Sequence, residues 1–391
     1  VQVIDIILIG VLVIALAVGL QRGLLASLGS LIGLVAGAFG ALWVIPLVND
    51  ALPSQAWRGV VVIGGTIFLL VVGAAIGGAV GEALRSGVDR TPLRGFERFL
   101  GGVAGVIVAA LAASFVGQGL AATGMPVVAQ ALGSSVVLRT IDDLTPAPVQ
   151  TTLAQLRSAV LDEGIPRLGI LLVPDAVDEP LPAIALDSPD LESAAASVAR
   201  ISGVAYACGT SSTGSGFVAA TDLVVTNAHV VAGVETPVVE LPGRAAREGR
   251  VVYFDAVDDI AVIEVDDLEA TSLTVTAPLG TGAAAVVQGY PYGGPFEMGS
   301  ARVLSVATTP VPDIYQGSSA PRDIYALQAT IVPGNSGGPL LSTTGQVVGV
   351  VFARADDGRD IGYAMTTTEL LPVLAQADAL EQPVSTGACT T

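Results

Sequence analysis

Residues 59–81 run for 23 positions without one charged side chain, through Val60-Val61-Val62-Ile63 and Phe68-Leu69-Leu70-Val71-Val72. About 20 apolar residues carry a helix across the ~30 Å hydrocarbon core of a bilayer. In that medium every backbone polar group must be satisfied within the segment or by a close neighbour. Three more apolar stretches flank this one: Val3–Leu20, Leu24–Val48 and Phe99–Ala121. Together the four predict an all-α four-helix transmembrane domain over residues 1–121. The first stretch is short and carries Asp5 near its outer end, which lets it start at the membrane interface. A secretory signal peptide would need a basic leading region, and here a second apolar run follows after only Gln21-Arg22-Gly23. Glycines recur at spacing four (Gly29/Gly33/Gly37, Gly73/Gly77/Gly81, Gly101/Gly105). A small residue every turn allows close helix packing where no hydrophobic drive exists between helices. No charge sits at the middle of a span, so nothing marks an ion or proton path.

Every basic residue in the chain is arginine. Arg22 falls in the first loop and Arg58 beside the second, while Arg85, Arg90, Arg94 and Arg98 crowd the third. The positive-inside bias therefore puts loops one and three in the cytoplasm and everything after about residue 122 outside it. Charge divides the same way. Residues 1–121 hold 6 basic and 5 acidic residues, and the remainder holds 11 and 30. So acidic a portion excludes nucleic acid as a partner and opposes tight binding to anionic lipid.

Both cysteines, Cys208 and Cys389, lie in the exported part, where an oxidising compartment permits a bridge; two buried thiols are the alternative. With a single histidine besides, too few soft ligands remain for a metal centre, and no cofactor motif is present. Residues 122–200 read as a linker with short helices at Gln150–Gly164 and Leu191–Arg200. Between them Pro166, Pro174, Pro180, Pro182 and Pro189 break regular structure, giving an exposed tether.

From Ile201 the chain turns to short valine- and alanine-rich strands separated by glycine turns: Ile201–Cys208, Gly216–Ala220, Leu223–Asn227, Arg250–Phe254, Ile260–Val265, Ala284–Gly289, Gly299–Val306, Ile324–Ala329 and Val347–Ala353. Such spacing predicts an all-β sandwich or barrel over 201–391, closed by a helix at Thr367–Ala379. Three motifs in this region carry chemistry. Gly334-Asn335-Ser336-Gly337-Gly338-Pro339 sets a serine in a sharp turn, so that Ser336 is a candidate nucleophile and the N–H groups of Gly334 and Ser336 a candidate oxyanion hole. Thr226-Asn227-Ala228-His229-Val230-Val231 contains the only histidine, whose ordinary pKa suits proton shuttling. Asp259, ahead of Ile260-Ala261-Val262, is the candidate orienting carboxylate, with Asp258 and Asp255 as close rivals. The order His, Asp, Ser is that of the two-barrel serine proteases.

Through these motifs residues 201–391 resemble the trypsin-like superfamily. They are similar more narrowly to the MarP-like membrane-bound acid-resistance serine proteases of mycobacteria and related actinobacteria. Gly214-Ser215-Gly216-Phe217-Val218, Gly289-Tyr290-Pro291, Gly345–Phe352 and Pro383–Cys389 carry the narrower likeness, and residues 1–121 look like a colicin V production protein domain. The resemblance implies a chymotrypsin-like double β-barrel and a triad of His229, Asp259 and Ser336. It also implies a Cys208–Cys389 disulfide joining the ends of the protease domain, and inner-membrane anchoring by four helices. A periplasmic catalytic domain, self-cleavage and a role in surviving acid and oxidative stress belong to the same family. Placing the base of the specificity pocket six residues before the serine selects Thr330, which is uncharged. Val351, Phe352 and Ala353 would pair with the substrate backbone, and a medium apolar P1 residue is expected. The resulting function is a membrane-tethered extracytoplasmic serine endopeptidase acting on envelope proteins or peptides. An HtrA-like quality-control protease is the nearest rival, although such enzymes carry a PDZ domain after the catalytic one and only 19 residues follow Pro372. A non-enzymatic membrane scaffold or transport component would leave the catalytic motifs unexplained.

Overall fold

The computed structural model describes residues 3–51, 55–85, 94–122, 131–132, 135–161, 165–169, 180–205 and 210–390. It divides into two compact units, Val1–Ser114 and Phe115–Thr391. Helices α1 (Val3–Arg22), α2 (Leu24–Ala51), α3 (Gln55–Arg85) and most of α4 (Arg94–Ala122) build the first. Among the described residues two helices are long and apolar enough to cross a membrane, Val3–Arg22 and Gly95–Gly117. The described apolar parts of the other two, Leu24–Gly37 and Val71–Leu84, are shorter. Large apolar side chains such as Ile6, Ile14, Ile32 and Phe68 are exposed.

The recurrent glycines mark where helices touch. A Cβ added at Gly33 would collide with the Gly73 carbonyl, and one at Gly29 with that of Gly77, so α2 and α3 approach backbone to backbone; Gly19 meets Gly101 in the same way between α1 and α4. Asp5 is buried within α1. Gly23 links α1 to α2 with φ +81°. Beside it the Glu97 carboxylate accepts the Leu25 N–H at 3.3 Å, an anion placed at a helix N-terminus whose dipole favours it.

The second unit takes the end of α4 and continues with two short helices, α5 (Val136–Leu144) and α6 (Ala147–Leu161), and a two-residue strand β1 (Arg167–Leu168). A further helix, α7 (Pro189–Ala195), leads into the strands. One sheet contains β2 (Val198–Ala205), β3 (Thr210–Ala220), β4 (Leu223–Thr226), β5 (Val238–Glu240), β6 (Arg247–Glu248), β7 (Arg250–Asp255) and β8 (Ile260–Glu264), in the order β6-β5-β2-β3-β4-β8-β7. Only Gly249 separates β6 from β7, so the strand that ends the sheet on one side begins it on the other. The second sheet runs β1-β13-β12-β9-β10-β11-β14, from β9 (Ala284–Gly289), β10 (Glu297–Pro312), β11 (Ser319–Gln328), β12 (Pro339–Leu341), β13 (Val347–Ala355) and β14 (Ile361–Thr366), and an additional β13–β14 pairing closes it. A one-turn helix, α8 (Ala228–Val231), follows β4, and α9 (Thr367–Leu374) follows β14.

Strand alternation explains why β4 and β8 are buried on both faces. Val224, Ala261 and Ile263 point into the first barrel, with Ile201 and Val239. Their neighbours Leu223, Val225, Ile260 and Val262 face a cluster shared with the second barrel through Ile324, Val350, Phe352 and Met365. Period-two geometry sends successive side chains to opposite faces, so one strand packs two cores.

Two departures from the sequence reading concern residues 122–200. The expected helix Leu191–Arg200 stops at Ala195, and Val198–Arg200 start β2, because Val198 pairs with Phe217 and Ile201 with Gly214 along β3. Leu191 is fully buried in the core shared by the barrels, and its carbonyl accepts from Gln288 Nε2 at 2.9 Å. The linker is also built into the fold at two places, once in the expected helix and once in the stretch read as an exposed tether. Ala154 of α6 is buried and Thr151 Oγ1 donates to Glu297 at 2.8 Å. Ile165 and Leu168 are buried around β1. Proline density obscured these, since two residues of strand leave no readable periodicity. Pro174 lies outside the described residues.

Candidate active site

His229 sits in α8 just after β4, and Asp259 immediately before β8; Val225↔Val262 and Thr226↔Ala261 pairing brings the two together. The His229 ring is held through Nδ1, 2.8 and 3.0 Å from the two Asp259 oxygens. Asp259 Oδ1 also accepts the backbone N–H of His229 at 2.9 Å. The aspartate has φ +57°, a left-handed conformation that Asp tolerates better than most residues. The Asn227 side chain fixes it there, donating from Nδ2 to the Asp259 carbonyl at 2.8 Å. With Nδ1 committed to a carboxylate, Nε2 is the ring nitrogen left for proton exchange.

The rivals have other work. Asp255 accepts the N–H groups of Val257 and Asp258 at 2.8 and 3.0 Å and so shapes the loop. Burial, followed by the nearby Asp255 charge, raises the pKa of the Asp258 carboxyl above its ordinary value.

Ser336 is 3% exposed. The backbone around it turns through Gly334 at φ +91° and Gly337 at φ +81°. A Cβ at Gly337 would strike the Ser215 carbonyl and Thr226 Oγ1, so the turn has no space for a larger residue. Ser215, on β3 of the other barrel, ties the turn down. Its N–H donates to the Ser336 carbonyl at 2.8 Å, and its hydroxyl donates to the Gly334 carbonyl at 2.6 Å while accepting the Tyr290 N–H at 2.9 Å. Thr226 Oγ1 in turn donates to the Ser215 carbonyl at 2.7 Å. Asn335 points back into the turn, accepting the Val332 N–H at 3.0 Å. No acceptor among the described residues takes up the N–H of Gly334 or Ser336. His229 Nε2 and Ser336 Oγ are both buried, and neither makes a hydrogen bond among the described residues.

These groups share one cleft of about 450 Å³, whose lining includes His229, Asp259, Ser336 and Phe352. Of the residues expected to contact substrate, Val351 and Ala353 are fully buried. The Val351 peptide pairs with the serine turn, its carbonyl accepting the Gly337 N–H at 2.8 Å. Phe352 lies under Arg322, whose guanidinium carbon is 5.2 Å from the ring centroid. Thr330 is exposed, bonds Asp360 through Oγ1 at 3.4 Å, and is absent from the cleft lining.

Asn227, Ser215 and Arg322 are the site residues that motif reading passed over. The first two were visible inside TNAHVV and GSGFV, but only the fold gives them partners. Arg322 is 1% exposed and bridges the Asp258 carbonyl at 3.3 Å and the Pro312 carbonyl at 2.6 Å. Burial lowers its pKa, while the charges of Asp259 and Asp258 oppose that shift. The sulfur of Cys389 lies against Gly233. The chain's other cysteine, Cys208, lies outside the described residues.

Comparison with known proteins gives the same division of the chain. Residues 214–350 match the trypsin-like peptidase domain and residues 4–146 match the colicin V production protein. Serine protease Rv3671c of Mycobacterium tuberculosis (strain ATCC 25618 / H37Rv) is 33% identical over 407 aligned positions, covering 99% of this chain and 98% of that one. A probable periplasmic DegP-like serine endoprotease of Hahella chejuensis is 32% identical over 45% of this chain and 36% of its own length. The crystal structure of the active form of the Rv3671c protease superposes with a TM-score of 0.51 at 37% identity, covering 57% of this chain and all of that one.

Proposed function

The chain belongs to the family of the Mycobacterium tuberculosis serine protease Rv3671c, and from that membership we propose a membrane-tethered endopeptidase that works outside the cytoplasm. Its enzymatic class, serine protease, follows from the family. The observation that carries the assignment of residues is the 2.8 Å contact of His229 Nδ1 with Asp259 in a cleft also lined by Ser336.

In this mechanism Ser336 Oγ attacks the scissile carbonyl while His229 Nε2 takes its proton. Asp259 holds the ring in the tautomer that leaves Nε2 basic and stabilises the imidazolium. The N–H groups of Gly334 and Ser336 receive the oxyanion. His229 then protonates the leaving amine, and water hydrolyses the acyl-enzyme through the same proton path. A serine-directed phosphonate should label the full-length protein at Ser336 and leave Ser336→Ala unlabelled. Labelling that survives the substitution would move the nucleophile elsewhere.

The organisation proposed is a four-helix membrane domain over 1–121, a linker over 122–200 and the protease over 201–391. The helices cross the inner membrane several times and hold the protease in the periplasm. A Cys208–Cys389 disulfide, substrates among envelope proteins, self-cleavage within the linker and service under acid or oxidative stress complete the reading. Two apolar helices of spanning length and the arginines at 85–98 support the orientation. A reporter active only outside the cytoplasm should work when fused after Ala122 or within 49–54, and fail within 86–95. Activity from the third loop would reverse the topology.

A further inference from the structure

The edge of β13 that continues past the serine turn is already taken. β14 covers one side of this strand, pairing Ala353 with Tyr363 and Arg354 with Gly362. On the other side β12 stops at Val350, and the Val351 peptide bonds the serine turn. Two amides further along that side bond the segment around β1. The Arg354 N–H donates to the Pro166 carbonyl at 3.1 Å and the Asp356 N–H to the Leu168 carbonyl at 3.0 Å, in parallel pairing. Tyr363 Oη donates to the Gly169 carbonyl at 3.3 Å.

The side chains of this segment dig in on either side. Ile165, 6% exposed, joins the cluster holding Ala329, Ile331 and Val351, which flank the serine turn. Leu168 joins Phe352, Ala353 and Ala355. Both residues line the same cleft as His229 and Ser336. A free strand edge is where an extended peptide adds itself, its main chain supplying affinity and alternate side chains filling pockets. Here five residues of the chain's own linker make that set of contacts. They are nevertheless poor substrate, because the carbonyls of Pro166, Leu168 and Gly169 are held by β13 and Tyr363 and none accepts from the N–H of Gly334 or Ser336.

We propose that Ile165–Gly169 is an intramolecular inhibitor, seated on the β13 edge and in the apolar recess beside Ser336, so that the full chain is held latent until the segment lifts. The proposal rests on the reading of Ser336 as nucleophile. Plug and substrate exclude each other, so releasing the plug raises the fraction of competent protein and acts on KM rather than kcat.

The test uses the full-length protein in detergent or nanodiscs, comparing the parent with Ile165→Asp and with Ile165→Asp/Leu168→Asp. The single variant leaves Leu168 in its core and serves if the double one does not fold. Hydrogen exchange at the Arg354 and Asp356 amides reports whether the segment has left. Phosphonate labelling of Ser336 and hydrolysis of a quenched-fluorescent peptide mixture report the site. Release should open both amides, speed labelling at least about tenfold and lower KM by a similar factor, with kcat within about twofold. Opened amides with unchanged KM and equal labelling would refute the inhibitor and leave the serine assignment standing. Absence of labelling in parent and variants alike would remove the serine assignment and the inhibitor with it.

Discussion

Asp259→Asn lowers kcat by about 10⁴-fold without unfolding the protein, the scale of the same replacement in a trypsin-type triad. Asparagine matches aspartate in size and tolerates the left-handed backbone that φ +57° demands. The bond from Asn227 reaches the backbone carbonyl of residue 259, not its side chain, and survives the change. An asparagine oxygen can still accept the His229 backbone N–H, now 2.9 Å from Oδ1. Its remaining group facing Nδ1 is an amide donor, which forces the proton onto Nε2 and removes the base. Near-ultraviolet circular dichroism and a thermal scan check the fold, and peptide hydrolysis gives kcat. Asp258→Asn is the matched comparison, since Asp258 makes no bond to the ring, and its kcat should stay within about threefold of the parent. A loss below about tenfold for Asp259→Asn would transfer the orienting role to another carboxylate.

The candidate site was legible because its parts are local in sequence. Ser336 with its glycines and His229 with its preceding strand each announce themselves within six residues, and strands with regular spacing, such as Ala284–Gly289, were readable to the residue. What stayed hidden depends on distant pairing. β12 is three residues long and β5 likewise; their partners on neighbouring strands define them. Ser215 reads as a small residue in a glycine-rich strand, and only the meeting of two barrels shows it gripping the carbonyls and amides around Ser336. The same limit applies to Thr330. Counting back from the serine assumes a fixed path between pocket and nucleophile, and only the fold shows Thr330 exposed beside Asp360. Ile165 and Leu168 are the clearest instance, because a proline-broken stretch gives no hint that its few apolar residues have a pocket waiting.

Cys389→Ser should lower the stability of the protease unit by roughly 2–4 kcal/mol. The chain contains two cysteines, so the proposed bridge closes the loop from residue 208 to 389. Chain-entropy arguments assign a loop of that length about 5 kcal/mol, with measured bridges commonly giving less. The tail that carries Cys389 has few other anchors. The Val384 N–H bonds the Val251 carbonyl at 2.9 Å, the Thr386 carbonyl accepts from Gly233 at 3.1 Å, and the Ala388 carbonyl accepts from Tyr315 at 3.0 Å. Most of its side chains are exposed, so lost loop closure would not be offset by tighter packing. The sulfur rests against Gly233, four residues after His229, and freeing the tail therefore loosens the support behind α8. Calorimetry in a Ser336→Ala background, with the proposed nucleophile removed, should show Tm falling by about 5–15 °C. Reductant should lower the parent's Tm to the same value and leave Cys389→Ser unchanged. Two titratable thiols in oxidised parent protein would exclude the bridge. An intact bridge whose removal leaves Tm unmoved would assign its effect to the α8 end of the cleft, with the loop-closure argument set aside.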